Sequence, residues 1–123
     1  MENTTTNSRP GKSSISEMSR CADLCTECYK ICLESIKQCL EKGGKHSDPS
    51  HINLLTDCAS ICNTSADFMI RGSENHVHTC KACAEICRLC AEECNSMSGD
   101  TEMEKCAEVC KRCADSCQQM SSH

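Results

Sequence analysis

Aromatic residues are almost missing from this chain: tryptophan is absent, and Tyr29 and Phe68 stand alone in 123 residues. A core of ordinary composition is therefore excluded, since aromatics normally supply the largest buried areas. Leu, Ile and Val are also scarce. No uninterrupted apolar run reaches the roughly 20 residues that a membrane span requires, so a membrane role is not expected. Basic residues form no stripe, and Lys+Arg 13 against Asp+Glu 18 leaves a formal charge of -5. A nucleic-acid partner is not expected either. With only 2 prolines and 5 glycines, the long stretches between them are free to be helical, and no alternating strand pattern competes.

What the chain has instead is sulfur. Sixteen cysteines (Cys 16) and Met 6 stand where a conventional core would carry leucine. In a short exported chain this would be read first as a disulfide scaffold. The segment "MENTTTNSRPGKSS" has neither an apolar h-region nor a twin-arginine pair. Residues 1–13 thus read as a disordered polar tail without an export signal, and a reducing cytoplasm becomes the expected location.

Helix boundaries are marked by caps. Ser14-x-x-Glu17 is a capping-box pattern, and Gly43-Gly44 can end the helix that it starts. Asp48-Pro49 supplies an N-cap and a first-turn proline, Ser73 can cap a third helix, and Asp100 a fourth after the break at 98–100. Helices are expected at about 14–42, 49–71, 74–96 and 101–120. They make one domain over 14–120, followed by a tail at 121–123. Short links between segments of similar length describe an all-α, antiparallel up-down-up-down four-helix bundle.

The cysteines follow a heptad seam. They fall at 21, 25, 28 and 32, with 39 further on; at 58 and 62; at 80, 83, 87, 90 and 94; and at 106, 110, 113 and 117. Residues at i+3, i+4 and i+7 share one helix face, so the thiols should converge on a cysteine-lined core with the charged residues outside. Helix two is thinner in sulfur, and its seam is completed by His51, Leu55, Ser65 and Met69. A purely structural core would use leucine at these positions, because leucine buries more apolar area. Eight disulfides along one narrow bundle would have to meet strict geometry, and stacked thiols on one helix are poorly aimed for bridging.

Thiolate-only sites select Cu(I), Zn²⁺ or iron–sulfur clusters. The Cys-x2-Cys-x2-Cys loop of bacterial iron–sulfur sites does not occur. Zinc centres of four thiolates each carry net negative charge, with no Lys or Arg on the seam to offset it. Cu(I) shared at about one ion per thiolate is nearly neutral. Cys-x3-Cys steps at 21/25, 28/32, 58/62, 83/87, 90/94, 106/110 and 113/117 place two sulfurs one turn apart, suited to gripping an ion. Catalytic thiol pairs open a helix beside a sheet, and none does here, so no enzymatic activity is expected. Zinc binding, or a disulfide-stabilised structural role, remains as the alternative.

"CKACAEICRLCAEEC" and "CAEVCKRCADSC", with "CADLCTECYKIC" as a third version, resemble the copper storage proteins, cysteine-rich bundles that hold many Cu(I) ions along their core. The resemblance spans about residues 14 to 120. It implies ligation by Cys21, Cys25, Cys28, Cys32, Cys39, Cys58, Cys62, Cys80, Cys83, Cys87, Cys90, Cys94, Cys106, Cys110, Cys113 and Cys117, and storage or detoxification in the cytoplasm. It also implies a homotetramer, with a copper chaperone as a candidate partner. Helix two is poorer in thiols than the fullest members of that family.

Weaker soft ligands collect at the ends. In an up-down-up-down bundle Met18, Met69, His76 and Met120 meet at one end, and His46, His51, Met97 and Met103 at the other. Met18 and His76 continue the faces of Cys21 and Cys80, so the first end is favoured as the mouth, with Met69 and Met120 beside them. His46, His78 and His123 read as solvated. Tyr29, Leu33, Ile36 and Leu40 form a second apolar line on helix one, suited to extra core or a subunit contact.

Overall fold

The computed structural model of the chain describes residues 14–97 and 99–122; the expected tail at 1–13, Ser98 and His123 lie outside them. Four helices account for nearly all of it: α1 (Ile15–Lys42), α2 (Pro49–Ile70), α3 (His76–Asn95) and α4 (Thr101–Ser121), with a short 3-10 turn at Gly44–Ser47. No strand is present among the described residues. The last helix runs through Ser121, into the segment read as a tail.

Local chemistry explains most ends. Ser14 Oγ accepts from the Glu17 amide at 3.1 Å while Glu17 Oε1 accepts from the Ser14 amide at 2.9 Å, a reciprocal capping box. Gly43 leaves α1 at φ 70, a left-handed conformation that glycine adopts without penalty, and returns its amide to the Cys39 carbonyl. Asp48 precedes Pro49 as expected, but its carboxylate makes no capping bond. Asp100 caps α4, accepting from the amides of Glu102 and Met103 at 3.0 and 3.1 Å.

The third helix corrects the sequence reading. Ser73 does not cap it: its hydroxyl accepts from Asn75, and its carbonyl from the His76 amide at 3.2 Å. The turn is spent on these bonds, so α3 begins at His76 rather than 74.

Each helix packs on its neighbours in sequence, and α4 returns to α1, so the four surround a central bore. Alanines directly follow several seam cysteines: Ala22, Ala59, Ala84, Ala91, Ala107 and Ala114 are all buried. A side chain of one methyl beside each thiol lets the helices approach closely. The other large buried side chains are few. Leu55, Met103, His51 and Val109 head the fully buried set, and cysteines follow. No described helix is long and apolar enough to cross a membrane.

Candidate metal centre

All sixteen cysteines are buried and free, none joined to another. Their sulfurs face the bore because the heptad spacing returns each to the same helix face. Across the bore, Cys25 Sγ lies 3.5 Å from Cys117 and 3.6 Å from Cys113; Cys62 lies 3.5 Å from Cys87 and 3.7 Å from Cys83. Cys58 reaches Cys87 at 3.6 Å and Cys28 at 3.9 Å. These separations are far beyond a disulfide bond of about 2.05 Å. They suit one ion held between two sulfurs, since metal–thiolate bonds of about 2.3 Å allow partners up to about 4.6 Å apart.

Five groups of thiols have all their sulfurs within 4.8 Å of one another. From the Met18 end they are Cys21, Cys80 and Cys117; Cys25, Cys83, Cys113 and Cys117; Cys28, Cys62, Cys87 and Cys113; Cys28, Cys32, Cys58 and Cys110; and Cys32, Cys90, Cys106 and Cys110. Consecutive groups share members, first Cys117, then Cys113, then Cys28, then Cys32 with Cys110. The result is one continuous ladder of sulfur. Cys94 extends it, engaging Cys106 and Cys90. Cys39 belongs to none of these groups.

A pair on one helix also comes within bridging distance, Cys83 Sγ lying 3.7 Å from Cys87 Sγ, but the groups combine such pairs with sulfurs from other helices. Only 28/32, 106/110 and 113/117 recur inside a group, while the other Cys-x3-Cys pairs are divided among groups or left out. Each group draws on three or four helices, and three of the five take two positions from one of them.

The surroundings of the thiols are electrically bare. Among the described residues the buried polar side chains are Ser35, His51, Ser65 and His76; no Lys, Arg, Asp or Glu enters the bore. The Ser65 hydroxyl, at a seam position without a thiol, is buried with no hydrogen-bond partner. An array of divalent ions with four thiolates each would leave uncompensated negative charge here, at a cost of several kcal/mol per ion. Monovalent ions matched one to one with thiolates would not.

Without metal, the thiols share protons unevenly. Cys28 and Cys106 are pulled well below the usual thiol range, chiefly by hydrogen bonding with Cys110. Cys110 is pushed well above it, chiefly by Cys106, and Cys62 likewise by Cys113. Cys117 draws Cys80 down, but Cys21 and burial outweigh it, and Cys80 is pushed up to about 12. Cys39 is raised by burial, with the Asp100 carboxylate adding to the effect.

The end residues separate into two sets. Met18, Met69, His76 and Met120 are all buried at the Cys21 end. Met69 Sδ lies 3.7 Å from Cys80 Sγ, and His76 Nδ1 hydrogen-bonds the Ser73 carbonyl at 2.8 Å. At the other end His46 is not simply solvated: its Nε2 is 2.7 Å from Asp100 Oδ2, which also takes Lys42 Nζ at 2.7 Å. There His51 Nε2 lies 3.3 Å from Cys39 Sγ, a contact that the sequence reading did not single out. Its signal was present, for His51 stands one heptad before Cys58 on the same face.

Residues 14–122 match the model of the family described as Csp, copper storage protein. No curated protein matches the sequence. Among solved structures, a protein of Nitrosospira multiformis is 41% identical, covering 86% of this chain and 95% of that one with a TM-score of 0.81. A Cu(I)-bound copper storage protein of Bacillus subtilis is 31% identical, with 85% and 98% covered and a TM-score of 0.79. A structure described as copper loading to a cytosolic copper storage protein, from Streptomyces lividans with five coppers, is 27% identical, with 89% and 95% covered and a TM-score of 0.76.

Proposed function

The chain belongs to the copper storage protein family, and from that premise we propose that it is a reservoir which holds many Cu(I) ions on the thiolates of its bore. The observation that carries this reading is the ladder of five overlapping thiol groups. Shared sulfurs can bridge successive ions, so filling one group prepares the next. All sixteen cysteines, from Cys21 to Cys117, are proposed as ligands. Each arriving ion replaces thiol protons, and the bore stays near neutral as it fills. The role is storage or protection against copper toxicity.

Met18, Met69, His76 and Met120 are proposed as soft donors at the Cys21 end, where they can take or pass the outermost ion of the ladder. The 3.7 Å approach of Met69 to Cys80 supports this. A cytoplasmic location is supported by the cytosolic Streptomyces relative, and a copper chaperone is the natural donor in such a compartment. A homotetramer is proposed from the family; Leu33 and Leu40, 43% and 57% exposed on the helix that also carries Tyr29 and Ile36, offer an apolar line for a subunit contact. Sedimentation of the reduced protein checks that assembly.

The reading is tested by native mass spectrometry of anaerobically purified, reduced protein after exposure to Cu(I) and Zn²⁺ together. A ladder of many copper adducts per chain is expected. A small number of zinc adducts with copper excluded would overturn it.

A further inference from the structure

One buried polar group has no task in the metal-free bore. Ser65 is 0% exposed, and its hydroxyl has no hydrogen-bond partner. A hydroxyl on a helix can turn back to the carbonyl four residues earlier, as Thr56 does to Ile52 at 2.8 Å and Thr64 to Ser60 at 3.0 Å on the same helix. Ser65 makes no such bond to the Ile61 carbonyl. It stands three residues after Cys62 and four before Met69, so its side chain shares their inward face. Leaving a hydroxyl unpaired away from water is unfavourable, and alanine, common elsewhere in this interior, would avoid the penalty.

The sulfur around Ser65 leaves one side open. The group of Cys21, Cys80 and Cys117 and the group of Cys25, Cys83, Cys113 and Cys117 take members from α1, α3 and α4 but none from α2. On α2, Cys62 Sγ reaches Cys83 Sγ at 3.7 Å and Met69 Sδ reaches Cys80 Sγ at 3.7 Å. Ser65 lies between those two contacts, and is therefore the α2 seam residue presented to both groups. Where α2 lacks a thiol nearer its other end it carries buried Leu55, which fills space and offers no donor.

We propose that Ser65 is a positioning residue of the copper array: its hydroxyl donates a hydrogen bond to the thiolate sulfurs of these two groups once copper has replaced their protons, and so tightens the ions held there. This role rests on the reservoir reading. A protonated thiol is a weak acceptor, whereas a thiolate that has lost its proton carries negative charge, and hydrogen bonds to charged acceptors are about twice as strong as neutral ones. The hydroxyl keeps its own proton and adds no charge to the bore. Its bond is absent without metal and present with it, so its whole worth appears as copper affinity.

The test compares Ser65→Ala and Ser65→Cys with the wild type, all reduced and anaerobic, by thermal unfolding without copper and by chelator competition after loading with Cu(I). Ser65→Ala loses an unpaired group, so without copper it should melt no lower than the wild type. After loading, the ions of the two groups should pass to the chelator about tenfold more readily, since a hydrogen bond to a charged group is worth about the 1.4 kcal/mol that makes a factor of ten. The rest of the array should be unchanged. Ser65→Cys nearly keeps the volume and places a thiol at the same point, so it should hold about one ion more. An apo midpoint lowered along with copper affinity would make Ser65 a packing residue and overturn the assignment while leaving the reservoir intact. So would wild-type copper affinity in Ser65→Ala, or wild-type capacity in Ser65→Cys. A wild type that takes up no array of ions would overturn the reservoir, and this role with it.

Discussion

Replacing Leu55 by alanine tests how a core built of sulfur is held together before metal arrives. Leu55 is 1% exposed and is the largest aliphatic side chain among the fully buried residues, most of the others being cysteines. Its substitution removes three carbons from a fully buried position. Buried Leu→Ala changes cost about 2–5 kcal/mol, rising with the cavity that remains. At about 4 °C per kcal/mol for a domain of this size the apo midpoint should therefore fall by about 8–20 °C. Sulfurs gathered from several helices hold copper more tightly in the assembled bore than in the unfolded chain, and a ligand that binds only the native state adds about 2.7 kcal/mol at a hundredfold excess over its dissociation constant, an upper bound here because unfolded thiols also take metal. The loaded variant should therefore melt well above its own apo form. Thermal unfolding of reduced, anaerobic protein by far-UV circular dichroism measures both states. A loss under about 1 kcal/mol in the apo protein, below the range for such cavities, would refute the idea that a few aliphatic side chains carry the metal-free fold. An unchanged midpoint on loading would refute the coupling of metal to the core.

Cys110 is shared by two thiol groups whereas Cys80 belongs to one, so Cys110→Ser should lower copper capacity, read by mass spectrometry, more than Cys80→Ser does. Copper loading should weaken as pH falls: Cys39 and Cys80 are raised, their thiols are protonated at neutral pH, and each Cu(I) must displace a proton. A competition titration across pH 6 to 9, a span around the usual thiol value of about 8.5, checks the slope. The same raised thiols stabilise the apo fold fully below that usual value, and the contribution is lost as pH rises through their folded values; midpoint against pH should decline on the alkaline side. Asp100 is held below the ordinary carboxylate range, chiefly by Lys42, so its contribution is present above about pH 4 and lost as pH falls further. Asp100→Ala, which also removes the cap of α4, should cost about 1 kcal/mol at neutral pH and flatten the acid side of the stability profile.

The heptad spacing of the cysteines made the bundle and the inward direction of its thiols legible, because both follow from positions along single helices. Caps with local partners, such as Ser14 with Glu17, were readable for the same reason. The start of α3 was not, since Ser73 has competing bonds to Asn75 and His76 that depend on how the chain turns after α2. The composition of the thiol groups was not either. Which sulfurs meet depends on the axial register between helices, so that Cys25 finds Cys113 and Cys117 rather than only its own neighbours. The same holds for Cys39, whose placement beside Met103 brings together residues 64 positions apart.

Titration of the fully reduced chain with Cu(I) against a competing chelator, carried to saturation, bears most directly on the central claim. Sixteen inward thiols, fourteen of them in groups linked by shared members, predict a plateau at many ions per chain, approaching the number of thiolates. Saturation after one or two ions would contradict the account.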